Sequence, residues 1–286
     1  MKGGVFVKEI EAHQITEKVA DMCEQANIYL GSDVEEALNN SYEKEESPTG
    51  KEALKQLLQN AQIAREKGVP ICQDTGFAVF FVEWGQEVTL KGGTLEEAIN
   101  AGVSKGYKEG YLRKSIVKDP LRRENTGDNT PAVVHTEMIP GDEVVIYFAP
   151  KGAGSENMST LKMLKPSDGE EGLINFVVNH VKEVGPNPCP PMVVGVGVGG
   201  TFDKVAVQAK KALLRPIGKP HPDPFYARLE KRMLHEINNL GIGPQGFGGR
   251  NTALAVHIEK FPSHIASMAA AVNINCHATR HGKISL

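Results

Sequence analysis

The stretch TGKEALKQLLQNAQIAREKGVPICQDTGFAVFFVEW (49–84) contains the change of pattern that decides the fold class. Residues 49–68 place apolar side chains at helical spacing and finish on a glycine, which predicts a helix that ends at Gly68. Residues 77–84 are instead a short run rich in aromatic and β-branched side chains, which predicts a buried strand. The chain therefore passes here from a helical region into a body that also contains strands.

Segments on both sides of this stretch extend the same two patterns. Upstream, apolar residues at helical spacing predict two more helices within residues 1–70. Downstream, strands are predicted at 87–90, 132–139, 143–150, 192–198, 252–260 and 267–275, and helices at about 94–110, 168–184, 202–213 and 223–240. The strands at 132–139 and 143–150 flank Pro140-Gly141-Asp142, a turn sequence that predicts a hairpin.

These patterns predict a mixed α/β fold. A helical N-terminal region, about 1–70, is expected to pack on an α/β body with mixed sheets, about 71–286. A chain of 286 residues is long enough for one large domain or two ordinary ones. Because the sequence has no repeat, low-complexity segment or Gly/Ser-rich linker, we predict a single domain over residues 1–286.

The composition argues against several classes of partner. A formal net charge of −3 and a sequence pI near 6.3 give no reason to expect binding to nucleic acid. No stretch approaches the roughly 20 apolar residues that a membrane span requires. The N-terminal segment becomes charged within ten residues, unlike a signal peptide. We therefore expect a cytoplasmic protein that binds any anionic ligand through a local group of basic side chains and amides.

The four cysteines differ in their sequence surroundings. Cys23 lies on the apolar side of the first predicted helix and is interpreted as a small core residue. Cys72, Cys189 and Cys276 lie in breaks between predicted elements, and prolines surround Cys189. Four cysteines in a chain of this length do not form a disulfide framework. In a reducing compartment they are free thiols, catalytic groups or metal ligands.

Long stretches of chain separate the three loop cysteines, which excludes a compact zinc or ferredoxin motif built on CxxC pairs. If the three converge, a 4Fe–4S cluster on them has one iron without a protein thiolate. That iron can act as a Lewis acid on a substrate oxygen. Three unrelated thiols are the alternative, and the spacing alone does not choose between the two.

Groups suited to binding a carboxylate lie near these cysteines in the sequence. Gln73 and Asp74 follow Cys72 directly, and the guanidinium of Arg113 suits two-point contact with a carboxylate. The stretch KGAGSENMS (151–159) leaves a predicted strand and is expected to begin a helix, whose first amides favour an anion. The alternative interpretations are a solvated surface charge for the arginine and an ordinary turn for the glycine-rich stretch.

Five motifs together resemble the class I, iron–sulfur fumarate hydratases and the α subunit of L-tartrate dehydratase. They are ICQDTG (71–76), KGAGSENMS (151–159), GPNPCPP (185–191), GIGPQGFGG (241–249) and NINCHATR (273–280). The resemblance covers nearly the whole chain, in the order of the N-terminal half of that family. It implies a hydro-lyase, and our first prediction is reversible hydration of fumarate to (S)-malate, a step of the tricarboxylic acid cycle. Tartrate dehydratase and mesaconate hydratase α subunits are the alternatives.

The same resemblance implies roles for particular residues. It implies a 4Fe–4S cluster on Cys72, Cys189 and Cys276, with one iron left to hold the hydroxyl and one carboxylate of a small dicarboxylate. It places the substrate contacts at Gln73, Asp74, Arg113, Gly154, Asn157 and Ser159. It also implies a catalytic pair of Asp74 and His264.

The resemblance further implies a partner chain. In single-chain members of the family, a C-terminal domain supplies the catalytic base, whereas this sequence ends soon after Cys276. We therefore expect a separate β subunit that carries the base, and an α2β2-type heteromer whose active site is completed by both subunits.

Two functions of other classes stay open. GVGVGG (195–200) fits the GxGxxG pattern of dinucleotide-binding loops, but its helix leads to no second strand that ends in an acidic residue. A non-catalytic metal-binding subunit would share the cysteines, but it would not need Gln73, Asp74, Arg113 and His264.

Overall fold

A computed structural model describes residues 7–286 of the chain. Its helices are α1 (Ala12–Ile28), α2 (Ser32–Lys44), α3 (Pro48–Lys67), α4 (Leu95–Glu109), α5 (Ala153–Glu156), α6 (Gly169–Val184), α7 (Phe202–Ala212) and α8 (Pro224–Asn238). Its strands are β1 (Lys8–Glu11), β2 (Phe77–Gly85), β3 (Val88–Lys91), β4 (Val133–Ile139), β5 (Val144–Lys151), β6 (Thr160–Leu164), β7 (Met192–Gly199), β8 (Ala253–Phe261), β9 (Met268–Asn275) and β10 (Gly282–Ser285). The predicted mixed α/β fold class is confirmed. Within residues 7–286, no helix is both long and apolar enough to cross a membrane.

The chain divides into two compact units. The first contains the described residues 7–29 together with Ala64–Gly152 and Arg280–Leu286, and the second contains Leu30–Ile63 and Ala153–Thr279. The helical region predicted for residues 1–70 is shared between them, because α1 belongs to the first unit and α2 to the second. The single domain predicted over the whole chain remains a prediction.

The main sheet of the first unit has the strand order β10-β5-β2-β4. β2 pairs antiparallel with β5 and parallel with β4, so the predicted hairpin of β4 with β5 is wrong. The reason lies in burial. Nearly every side chain of β2 is buried, whereas those of β4 are mostly exposed or half-buried. The largely apolar strand takes the central position, and the more polar strand takes the edge. β1, which pairs in parallel with β3, is a further strand that the sequence did not predict.

The helices α1 and α4 of the first unit pack closely against each other. A Cβ on Gly102 would lie 2.7 Å from the carbonyl oxygen of Thr16, and one on Gly106 would lie 2.6 Å from that of Ala20. Two glycines one turn apart therefore let the backbones approach. α4 begins with a capping box, in which the Thr94 side chain accepts a hydrogen bond from the backbone N–H of Glu97.

The sheet of the second unit has the order β6-β9-β7-β8, and α7 packs on it. The glycines of GVGVGG (195–200) are needed for this contact. A Cβ on Gly195 would lie 2.2 Å from the carbonyl oxygen of Ala209, and one on Gly197 would lie 2.2 Å from that of Val205. The motif that fits a dinucleotide loop thus has a packing explanation, because only glycine lets α7 approach β7 so closely.

His257 on β8 gives the second unit a predicted dependence on pH. Only 3% of this residue is exposed, and the Arg215–Glu230 ion pair lies in the same buried region. Burial lowers the pKa of His257 from 6.5 to about 4, and the positive charge of Arg215 adds to the effect. The folded protein therefore keeps this imidazole neutral where the unfolded chain already binds a proton.

We expect the free energy of unfolding to fall as the pH is lowered from about 6.5 towards about 4, because the unfolded state binds more protons in this window. The loss due to His257 should reach roughly 3 kcal/mol. Urea denaturation across the window measures it. His257→Gln should flatten this part of the profile, whereas His235→Gln, at an exposed position, should leave it unchanged. Equal slopes in the wild type and in His257→Gln would show that this histidine is not responsible.

Candidate functional site

The three cysteines predicted as ligands have accessible thiols. All four cysteines lie outside disulfides, and Cys189 is exposed while Cys72 and Cys276 are half-buried. Cys23, in contrast, is fully buried in the core of the first unit. Burial, followed by the nearby Glu24 carboxylate, raises the pKa of the Cys23 thiol. Iron binds the thiolate form of cysteine. The environments of Cys72, Cys189 and Cys276 therefore suit iron ligands, whereas that of Cys23 suits a core residue.

In the first unit, the ICQDTG segment is joined to the backbone at Arg113. Cys72, Gln73 and Asp74 lie in the irregular segment between α3 and β2. The Thr75 hydroxyl accepts a hydrogen bond from the Arg113 backbone N–H at 2.9 Å and donates to the Arg113 carbonyl at 3.2 Å. Four predicted site residues are thereby held on neighbouring segments, with the side chains of Gln73 and Arg113 exposed.

Two side chains that the sequence did not single out form hydrogen bonds with the backbone of this segment. The hydroxyl of Tyr107 donates to the carbonyl oxygen of Thr75 at 2.8 Å. Arg280 donates to the carbonyl oxygen of Asp74 at 3.1 Å and to the side chain of Asn27 at 2.9 Å. Tyr107 and Arg280 are themselves buried, so the two peptide groups that follow the Asp74 side chain, those with the Asp74 and Thr75 carbonyls, are fixed.

The Asp74 carboxylate lies close to the start of the KGAGSENMS motif. Its Oδ1 accepts a hydrogen bond from the Gly76 N–H at 3.0 Å. A Cβ on Gly152 would lie 3.3 Å from Asp74 Oδ2, and one on Gly76 would lie 2.5 Å from the carbonyl carbon of Lys151. Two motifs that are distant in the sequence therefore meet at glycines, which leave room for the aspartate.

The rest of the KGAGSENMS motif belongs to the second unit and does not begin a long helix. The predicted helix start is present as α5, but α5 is a single turn and β6 starts at Thr160. Binding of an anion at this turn remains a prediction. A helix follows only where enough residues sustain its hydrogen bonds, and here the chain turns directly into a strand. Gly154 and Asn157 are exposed on this turn, and a Cβ on Gly154 would meet no atom within 4 Å.

Ser159 forms hydrogen bonds within the second unit. Its hydroxyl donates to the Glu156 carbonyl at 2.7 Å and accepts from Asn273 Nδ2 at 2.7 Å. Asn273 Nδ2 also contacts the Glu156 carboxylate at 2.8 Å, which in turn pairs with Lys210. This network ties the end of the glycine-rich motif to β9. The substrate contact predicted for Ser159 remains a prediction.

The second unit brings Cys189 and Cys276 onto adjoining segments. The N–H of His277, the residue after Cys276, donates to the Cys189 carbonyl at 3.2 Å. Cys189 has φ +57°, in the left-handed region that non-glycine residues rarely adopt. Such a conformation in an exposed thiol-bearing residue is typical of a functional position.

His264 lies in the loop between β8 and β9. Its Nδ1 accepts a hydrogen bond from the Ala266 N–H at 3.1 Å. It lines a cavity of about 580 Å³ that Phe202 and Phe261 also line. Asp74 belongs to the first unit and His264 to the second, so their pairing remains a prediction.

The ligands proposed for the 4Fe–4S cluster are the thiols of Cys72, Cys189 and Cys276. Within residues 7–286, no group of three or more His, Cys, Asp or Glu side chains is arranged as a metal site. Cys72 belongs to the first unit and the other two ligands to the second, so the convergence of all three remains a prediction. Three accessible thiols on irregular segments fit a cluster that has one iron without a thiolate.

Comparison with known proteins covers almost the whole chain. The family model described as Fumarate hydratase (Fumerase) matches residues 16–285. The chain is 45% identical over 276 residues to the Putative L(+)-tartrate dehydratase subunit alpha of Methanocaldococcus jannaschii, covering 93% of this chain and 95% of that protein. It is 35% identical over 283 residues to the L(+)-tartrate dehydratase subunit alpha of Escherichia coli (strain K12), covering 97% and 92%. These comparisons agree with the family that the five motifs indicate.

Proposed function

We propose, because the chain belongs to the fumarate hydratase family, that it is the α subunit of a hydro-lyase acting on a small hydroxy-dicarboxylate. The observation that carries this proposal is the contrast among the cysteines. Cys72, Cys189 and Cys276 are exposed or half-buried cysteines outside any disulfide, whereas Cys23 is enclosed in the core. The three thiolates are proposed to hold a 4Fe–4S cluster.

The similar proteins favour one substrate over the others. Those at 45% and 35% identity are both named as tartrate dehydratase α subunits, so L(+)-tartrate is the first candidate. Fumarate hydration, which the sequence placed first, becomes the second candidate, supported by the description of the matching family model. Neither of these two relatives is named for mesaconate, which stays the third candidate.

The proposed reaction removes a proton from one carbon of the substrate and hydroxide from its neighbour, and the two leave as water. When bound, the cluster supplies Lewis-acid polarisation of the substrate hydroxyl. The exposed guanidinium of Arg113 is suited to bind one carboxylate in two-point contact. Asp74, fixed by its backbone contacts, and His264 are proposed to pass a proton to the departing oxygen.

The remaining catalytic group is proposed to come from a partner. The names of the relatives contain "subunit alpha", which supports a β subunit for this chain as well. We propose that this β subunit carries the base that removes the carbon-bound proton, in an α2β2-type heteromer. Four cysteines outside disulfides also fit the reducing conditions of the cytoplasm, which we propose as the location of the protein.

Anaerobic reconstitution of the chain with its β subunit, iron and sulfide tests the proposal. We expect the complex to dehydrate L(+)-tartrate and the α chain alone to be inactive, because the base is missing. D(−)-tartrate is the matched control, since this enantiomer has the same functional groups in the opposite configuration. Turnover of (S)-malate without turnover of tartrate would favour the second candidate. A cluster-loaded complex that acts on no hydroxy-dicarboxylate would overturn the proposal.

A further inference from the structure

The turn GIGPQGFGG (241–249) contacts the loop that carries Cys189. We infer that Gln245 in this turn is a positioning residue, which fixes Cys189 relative to Cys276. The inference rests on the proposed function, because it concerns how the chain holds two of the three proposed cluster ligands. Nothing in the sequence motifs assigned a role to this glutamine.

The first contact joins Gln245 to the residue after Cys189. The backbone N–H of Gln245 donates to the Pro190 carbonyl at 2.8 Å, and its side-chain Nε2 donates to the same oxygen at 2.6 Å. Two donors from one residue fix this carbonyl in both distance and direction. The Pro190–Pro191 peptide, one residue beyond Cys189, therefore cannot turn without breaking both hydrogen bonds.

The second contact joins Gln245 to the residue after Cys276. Gln245 Nε2 lies 3.1 Å from His277 Nδ1, which in turn lies 3.2 Å from the Cys189 carbonyl oxygen. An unprotonated Nδ1 accepts from the glutamine amide, whereas a protonated Nδ1 donates to the Cys189 carbonyl. In either tautomer the imidazole joins the Cys276 segment to the Cys189 loop, beside the backbone hydrogen bond between them.

The backbone of the turn indicates that this side chain is needed. Gln245 has φ +53°, in the left-handed region where glycine is favoured. The neighbouring Gly243, Gly246 and Gly248 also have positive φ, as expected of a tight turn. A glycine would form the turn more easily at position 245 as well. The cost of placing a glutamine there is offset by its side-chain amide, which contacts the Pro190 carbonyl and His277 Nδ1.

A set of variants separates positioning from folding. Gln245→Gly removes the amide and relieves the backbone at the same position, so it should fold at least as readily as the wild type. Gln245→Glu keeps the size but replaces the donor nitrogen with an oxygen that repels the Pro190 carbonyl. Phe247→Ala is the matched control, because its side chain lies in the same turn and is 63% exposed.

The measurement is iron release to a chelator from the anaerobically loaded α–β complex, together with the electron paramagnetic resonance spectrum of the reduced cluster. We expect both Gln245 variants to release iron roughly 10- to 100-fold faster, as is typical when a residue that orients a metal ligand is lost. Their spectra should change, and Phe247→Ala should match the wild type. A Gln245→Gly complex with wild-type release and spectrum would overturn the inference. A wild-type complex that binds no cluster would instead overturn the proposed function.

Discussion

Cys189→Ser is expected to abolish cluster binding in the assembled complex and to lower hydro-lyase activity by more than roughly 100-fold. A serine hydroxyl stays protonated at neutral pH and cannot replace a thiolate as an iron ligand. Because Cys189 is exposed, the fold without the cluster should keep its melting temperature. Iron content, visible absorbance and turnover after anaerobic reconstitution measure the effect, and serine at Cys72 or Cys276 should act in the same way.

Cys23→Ala provides the opposite control. Cys23 is fully buried, so losing its sulfur should lower the free energy of unfolding by about 1–2 kcal/mol. The complex should nevertheless keep its cluster and its specific activity, because this thiol lies in the core of the first unit. If Cys189→Ser kept both cluster absorbance and activity, the assignment of the three ligands would be wrong.

The sequence predicted those parts of the fold that depend on local pattern. α3, α6 and α8 lie within a few residues of their predicted positions, because apolar periodicity over several turns and clear end signals define a helix. The hairpin of β4 with β5 was wrong, since a turn sequence between two strands does not determine which strands pair. The burial of β2 decides that pairing, and it depends on the whole sheet.

The candidate site could likewise be predicted only in part from the sequence. The accessible cysteines and the buried Cys23 followed from their positions in breaks or on a helix face. Tyr107, Arg280 and Gln245 could not be singled out, because each acts through carbonyl groups far away in the sequence. The sequence did contain one signal for Gln245. It is a polar residue in a glycine-rich turn, GIGPQGFGG (241–249), which indicates that its side chain makes a specific contact.

Glu45→Gln is expected to lower the free energy of unfolding by about 4 kcal/mol, because it breaks a buried network around a carboxylate. Glu45 is the C-cap residue that follows α2, and it is 5% exposed. Its carboxylate accepts hydrogen bonds from the backbone N–H groups of Ser47, Arg250 and Asn251 at 3.0–3.1 Å, and from Asn251 Nδ2 at 2.7 Å. A glutamine would turn an NH2 group towards these donors. Chemical denaturation at neutral pH measures the loss.

The pH dependence of stability tests the same carboxylate independently. Burial would raise the pKa of Glu45, but the hydrogen bonds from Ser47, Asn251 and Arg250 outweigh it and hold the pKa below its ordinary value of 4.5. The stabilisation is therefore complete above this value and is lost as the pH falls towards the lower pKa of the folded state. The difference in stability between the wild type and Glu45→Gln should shrink over that acidic range.

Glu46→Gln is the matched control for this prediction. The neighbouring Glu46 pairs with Arg250 at 3.2 Å, but its side chain is 71% exposed, so its loss should change stability by less than about 1 kcal/mol. The Glu45 carboxylate also packs against Gly249, the last residue of the turn that carries Gln245. A Cβ on Gly249 would lie only 2.4 Å from this carboxylate. Glu45→Gln should therefore also speed iron release from the complex, whereas Glu46→Gln should not. Equal stability losses in the two variants would show that the buried network has no special role.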